Sequence, residues 1–357
     1  MTVLLTCSKT YGKAVCMTGK VSCIKAAFIV SAPLYCGGFD QNTSEIRVAS
    51  LRGALRSWWR YANGGRFESI GDMMSAESAI FGSARPGHSR QGILMSLSVE
   101  GGGHPVGSYQ VSSLGYLGYG VCGRRPAMPA GARFTLTLRG RGLDEEQLGS
   151  LRDAISLMGL LGGIGGRARR GFGSLTLTHL EGDGAAGNAW TCPTTAQEFS
   201  ERLSLLLGAN TLNANPSFPA FAPGSRVFWL CEAKTPEAVQ EALEGVLLGM
   251  MQSMAGASPA GYPNKIALGL PRGKWKPERH NRRASPLVFH VHQCGKDSYA
   301  GLVTLISGPF LPQGEKVKGP TGSVPAPADH VETLGNALQS LAGQHREFSQ
   351  AREVYRR

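Results

Sequence analysis

Six segments in the first half of the chain carry a clear hydrophobic period, and their order limits the folds open to them. "VSCIKAAFIV" (21–30) is apolar and β-prone, as a buried strand is. "GILMSLSV" (92–99), "ARFTLTLR" (132–139) and "FGSLTLTHL" (172–180) alternate with period two, as half-buried strands do. Between them, a helical spacing starts after Ser50, a suitable N-cap, and another runs through "DEEQLGSLRDAISLMGLL" (144–161), whose three leading acids suit a helix N-terminus. The order is β-α-β-β-α-β, which predicts two helices on one face of a four-stranded antiparallel sheet, the ferredoxin-like arrangement. A Gly- and Tyr-rich stretch, "GGGHPVGSYQVSSLGYLGYGVCG", interrupts it between the second and third strands. Loops of that length are usually functional or disordered.

A second unit follows with fainter signals. "RVFWLCE" (226–232) suits a strand, "PEAVQEALEGVLLGMM" (236–251) a helix, "PLVFHVH" with "GLVTLIS" a hairpin, and "HVETLGNALQSLAGQHREF" (330–348) a last helix. A final strand is not visible. The chain is therefore expected to be α+β, with tandem ferredoxin-like domains. The expected organisation is an N-terminal extension (1–20), a first domain (21–180), a linker region (181–225) and a degenerate second domain (226–357).

Charge speaks to partners rather than to fold. Among 357 residues, 37 are basic and 25 acidic, a net +12, which points first to nucleic acid and second to an anionic membrane surface. No run of about 18 apolar residues could span a bilayer, no helix is amphipathic enough to lie on one, and the N-terminal apolar run is too short for a signal peptide. The eight cysteines show neither a CxxC pair nor metal-ligand spacing, so reduced thiols in a cytoplasmic protein are expected. No cofactor and no metal is expected.

Three basic segments carry the functional signal. In "EIRVASLRGALRSWWRYANGG", Leu51, Leu55, Trp58 and Ala62 project to one side of a helix, and Arg52, Arg56 and Arg60 form a separate stripe at i, i+4, i+8. With no acid between Glu45 and Glu68 to neutralise them, these arginines and Arg47 are expected to meet RNA phosphates or an acidic face, while Trp58 serves the core. The second segment, "LLGGIGGRARRGFGSLTL" (160–177), sets Gly162, Gly163, Gly165 and Gly166 before Arg167, Arg169 and Arg170, and brackets Phe172 with Gly171 and Gly173. Such glycines permit positive φ and close backbone approach, so amides and guanidinium forks can meet phosphates together. It is no dinucleotide fingerprint, since it follows a helix and precedes a strand, and no Walker loop, since no Lys-Ser/Thr closes it.

The third segment, "PRGKWKPERHNRRASPLVFHVH", holds seven basic residues from Arg272 to Arg283, counting His280, against one acid, Glu278. Trp275, Arg282 and Arg283 suit a single-stranded backbone, with bases stacking while arginines reach phosphates, in a loop that orders on a partner. His290 and His292 share one face of a strand and are expected to be packing residues. His88 and His104 lie in loops where a general base could act.

The quoted blocks also carry a resemblance. "GGIGGRARRGFGSL" is similar to the glycine-rich loop of the RAMP superfamily of CRISPR effector subunits. "PLYCGGFDQNTSEIRVASLRGALRSWWRYA", "ESAIFGSA" and "LGLPRG…RRASPLVFHVH" resemble one branch of it, the first RAMP subunit of the type III-B Cmr complex. The resemblance implies a non-catalytic RNA-binding subunit of an antiviral ribonucleoprotein. Its partners would be the 3′ part of the guide CRISPR RNA, target RNA and other RAMP subunits. It transfers no catalytic residue. The alternative is a RAMP-superfamily endoribonuclease that processes CRISPR RNA.

Overall fold

The computed structural model describes residues 21–38, 42–84, 92–100, 115–184, 189–208, 216–258, 261–344 and 351–357. The N-terminal extension, His88 and His104 lie outside the described residues.

In the first unit, β1 (Val21–Val30) is followed by α1 (Val48–Asn63), α2 (Ile70–Phe81), β2 (Leu94–Val99), β3 (Arg133–Arg141), α3 (Glu145–Leu161) and β4 (Leu175–Gly182). The strands form one antiparallel sheet in the order β2-β3-β1-β4, which is the ferredoxin-like arrangement the sequence order predicts. Alternation is visible in the burial of β3: Phe134, Leu136 and Leu138 are buried, while Arg133, Arg139 and Arg141 are exposed. α3 starts on a capping box, in which the Asp144 carboxylate accepts from the Gln147 amide while Gln147 accepts from the amide of Asp144. α1 begins at Val48 with no side-chain cap, so Ser50 lies in its first turn rather than at its cap.

Residues 181–225 are not a featureless linker. α4 (Ala196–Gly208) lies there and buries Phe199, Leu203 and Leu207, with Phe199 edge-on to Trp229 at 5.7 Å between centroids. The second unit comprises β5 (Arg226–Ala233), α5 (Pro236–Ser253), the short β6 (Lys276–Pro277), β7 (Leu287–Gly295), β8 (Ser298–Leu305), β9 (Lys316–Gly319), β10 (Gly322–Pro325), α6 (His330–Gln344) and β11 (Arg352–Arg356). β11 is the strand the sequence pattern did not show. It pairs antiparallel with β5 and completes a second sheet, β11-β5-β8-β7, with the same permutation as the first. The nearly buried Arg226 holds it by an ion pair to Glu353 at 2.6 Å. β6, β9 and β10 form a small sheet beside this unit.

The two sheets meet where β7 passes β4, through hydroxyl groups rather than a backbone ladder. The Val291 amide donates to Ser174 Oγ at 3.1 Å, the Gln293 amide to Thr176 Oγ1 at 3.0 Å, and Ser31 Oγ to the Val291 carbonyl at 2.6 Å. The segment joining α3 to β4 lies on this junction, so the site below is built by both units.

Candidate nucleic-acid interface

α1 buries the face its period predicts, Leu51, Leu55, Trp58 and Ala62, and Trp59 as well. Its arginine stripe finds one of the two partners expected for it, an acid within the fold. Arg56 Nε donates to Glu77 Oε1, while Arg60 donates to Glu77 at 2.6 and 2.9 Å. The Glu77 side chain, on α2, is only 2% exposed. Arg52 donates to the carbonyls of Phe81 and Ile93, and burial followed by the Arg56 charge lowers its pKa. Arg47 is exposed and donates to the Gly37 carbonyl at 3.1 Å. The stripe thus clamps α1 to α2 around one buried carboxylate, which answers part of its positive charge within the fold.

The glycines of the loop after α3 also serve the protein's own backbone. A Cβ on Gly162 would lie 2.4 Å from Trp58 Nε1. One on Gly173 (φ +56) would lie 2.2 Å from the Ile164 carbonyl oxygen, and the Ile164 amide donates to the Gly173 carbonyl at 2.9 Å. Gly163 and Gly165 are closed in by the backbones of Gly173 and Tyr35, and the Gly166 amide donates to Tyr35. The Gly171 carbonyl accepts from Gln240 of α5 at 3.2 Å. Phe172 is fully buried, edge-on to Tyr35 at 5.4 Å, so it packs the junction and is not available to stack on a base.

The arginines of the folded loop are partly buried, and the structure brings them together with two from the third basic segment. Arg167 donates to the Tyr119 carbonyl. Arg169 donates to the Tyr61 hydroxyl at 2.6 Å and to the Ser285 carbonyl. Arg170 lies 5.5 Å over the Phe289 ring. Arg272 donates to the Tyr116 hydroxyl at 3.0 Å, and Arg283 to the Phe310 carbonyl. Among the described residues none of the five makes an ion pair. Burial, then the charges of Arg167, Arg169 and Arg272, push Arg170 down to about 10, and burial with Arg169 does the same to Arg283. Arg169 Nε and Arg170 Nη1 are buried with no hydrogen-bond acceptor. These are guanidinium groups set against one another without a counter-ion.

The rest of the third segment makes contacts within the fold. Glu315 accepts from the amides of Arg279 and His280 and pairs with the His280 ring at 2.5 Å. Trp275 is half-buried, with its ring against Gly319, and Arg282 is exposed. Beneath the loop, His290 Nδ1 donates to the Gly162 carbonyl and His292 Nε2 to the Pro193 carbonyl, each at 2.9 Å. Both rings are fully buried, and burial lowers both pKa values, His292 to about 4. They are neutral packing histidines, as the shared strand face suggests.

Sequence reasoning missed Glu77, because a helical projection sees only neighbours three or four residues away. It also missed Tyr61, Tyr116 and Tyr119. The last two sit in the Gly-Tyr stretch, whose composition was the available signal.

Comparison with known proteins agrees with this architecture. Residues 29–176 match the family model of the RAMP superfamily. The chain is homologous to the CRISPR system Cmr subunit Cmr1-1 of Pyrococcus furiosus, 25% identical over 298 residues, covering 75% of this chain and 82% of that protein. Its fold matches the crystal structure of apo Cmr1 from Pyrococcus furiosus with a TM-score of 0.60 and 19% identity, covering 93% of this chain and 98% of that one. It also matches a chain in the cryo-EM structure of the type III-B Cmr-beta complex bound to cognate target RNA, with a TM-score of 0.53 and 12% identity over 89% and 100% of the two chains.

Proposed function

We propose that this chain is a RAMP subunit of a type III-B CRISPR effector ribonucleoprotein, and that it binds RNA along the seam between its two ferredoxin-like units without cutting it. The observation that carries the reading is the cluster of Arg167, Arg169, Arg170, Arg272 and Arg283, of which four are held by carbonyl or phenol oxygens and Arg170 lies over the Phe289 ring, with no carboxylate paired to any of them among the described residues. Closely set guanidiniums repel one another, and a phosphate backbone relieves that repulsion. Homology to a Cmr1 subunit supports assembly with other RAMP subunits. The RNA is the 3′ part of a guide CRISPR RNA together with target RNA that the subunit helps to capture.

Affinity purification from the native host, followed by mass spectrometry and RNA sequencing, tests this. Co-purification of further RAMP subunits with a CRISPR-derived RNA is expected. Recovery of the chain alone, or discrete cleavage of repeat RNA by the purified chain, contradicts it.

A further inference from the structure

The turn beside the seam holds two tyrosines that the fold does not bury. Tyr119 is 69% exposed and Tyr116 43%, although both rings are large enough to anchor a core. The turn itself is well fixed. Leu117 and Val121 are buried, and the Glu244 carboxylate of α5 accepts from the amides of Tyr116 and Leu117, the latter at 3.0 Å. Tyr119 is gripped from the other side, since its carbonyl accepts from Arg167, whose guanidinium lies 6.0 Å from the Tyr119 ring centroid. Arg167 is the one non-glycine residue with positive φ (61°) among the described residues, a conformation that side chains rarely adopt. The ring is therefore exposed to solvent with the Arg167 guanidinium beside it, and Arg167 belongs to the cluster of five arginines.

An aromatic face next to cations is what a single-stranded nucleic acid requires, because a base stacks on the ring while its phosphates reach the arginines. A duplex offers no free base face. We propose that Tyr119 is a stacking platform for an unpaired RNA base, which makes the seam selective for single-stranded over double-stranded RNA. This rests on the seam reading above and adds a base contact that the arginines do not supply. Stacking is neutral in charge, so it contributes affinity without contributing to salt dependence.

The test uses the full-length chain and a short single-stranded RNA, carrying either a fluorescent label for anisotropy or single 2-aminopurines at successive positions. Tyr119→Ala is expected to weaken binding about tenfold with an unchanged salt slope, and Tyr119→Phe to bind as the parent does. At one position 2-aminopurine is expected to be quenched by the parent chain and not by Tyr119→Ala. A thermal melt of each variant guards against misfolding. Parent-like binding by Tyr119→Ala, with affinity lost in Arg169→Ala/Arg170→Ala, overturns the stacking role and leaves the seam standing. Parent-like binding by both overturns the seam as well. Equal affinity for a blunt duplex of the same length, or loss of a co-purifying protein from Tyr119→Ala with RNA binding intact, also overturns the proposal.

Discussion

Arg56 and Arg60 share the buried carboxylate of Glu77, whereas among the described residues Arg167, Arg169 and Arg170 meet carbonyls, a phenol and ring faces. Both groups look alike as text, three arginines beside aromatic residues with no nearby acid. The difference lies in what each side chain was desolvated for. On α1, two partly exposed guanidiniums neutralise a carboxylate that would otherwise sit alone in the core, and so they hold α2 in place. In the loop, Arg170 is buried and set beside Arg167, Arg169 and Arg272, which together lower its pKa, and among the described residues no carboxylate pairs with it. Charge that is answered inside the fold is structural, and charge left unanswered is available to a polyanion.

The largest effect expected from this contrast is on stability. Arg56→Met/Arg60→Met leaves the nearly buried Glu77 carboxylate without a counter-ion and should cost about 4 kcal/mol, read by chemical denaturation. The same double substitution should leave the salt dependence of RNA binding unchanged in the protein that remains folded. If the variant were as stable as the parent, the helix clamp would be no clamp.

Acid should discriminate between the regions next. His290 and His292 are depressed below the ordinary histidine value, so the unfolded chain takes up protons first as the pH falls. Their contribution to stability is complete above about 6.5 and is lost as the pH falls through the folded value. For His292, at about 4, the loss by that pH is of order 3 kcal/mol. Because His290 donates to Gly162, the first residue of the loop, amides of residues 162–173 should have lower protection factors, normalised to the intrinsic exchange rate at each pH, at pH 5 than at pH 7, while those of α1 change less. A uniform change in protection across both would show that the histidines do not specifically support the loop.

Much of the fold was legible because period-two alternation is a local property: β2, β3 and β4 each show it, β1 reads as an apolar run, and α3 carries its cap in its own letters. β11 was not legible. "REVYR" has only two apolar residues, and what makes it a strand is β5, more than a hundred residues earlier, together with the Arg226–Glu353 pair. The site divides in the same way. The glycine-arginine loop could be picked out as a basic element, but not the inward turn of Phe172 or the use of its glycines against Tyr35 and Trp58. The acid that the stripe on α1 meets was not legible because Glu77 lies 21 residues from Arg56 and 17 from Arg60, on a helix the pattern did not announce. Tyr119 owes its position to Arg167 and Glu244, contacts that span 48 residues or more.

The central claim, that the loop and not the helix meets RNA, is tested most directly by the salt dependence of RNA affinity in two variants. Arg169→Ala/Arg170→Ala removes two unanswered charges. Arg56→Met/Arg60→Met/Glu77→Met replaces the helix clamp by apolar groups and keeps the core free of an unpaired carboxylate. The account predicts that the loop variant's log–log slope becomes shallower by about 1.4, two phosphates at roughly 0.7 each for a single strand, and that the helix variant keeps the parent slope. A parent slope in the loop variant with a shallower one in the helix variant would contradict it.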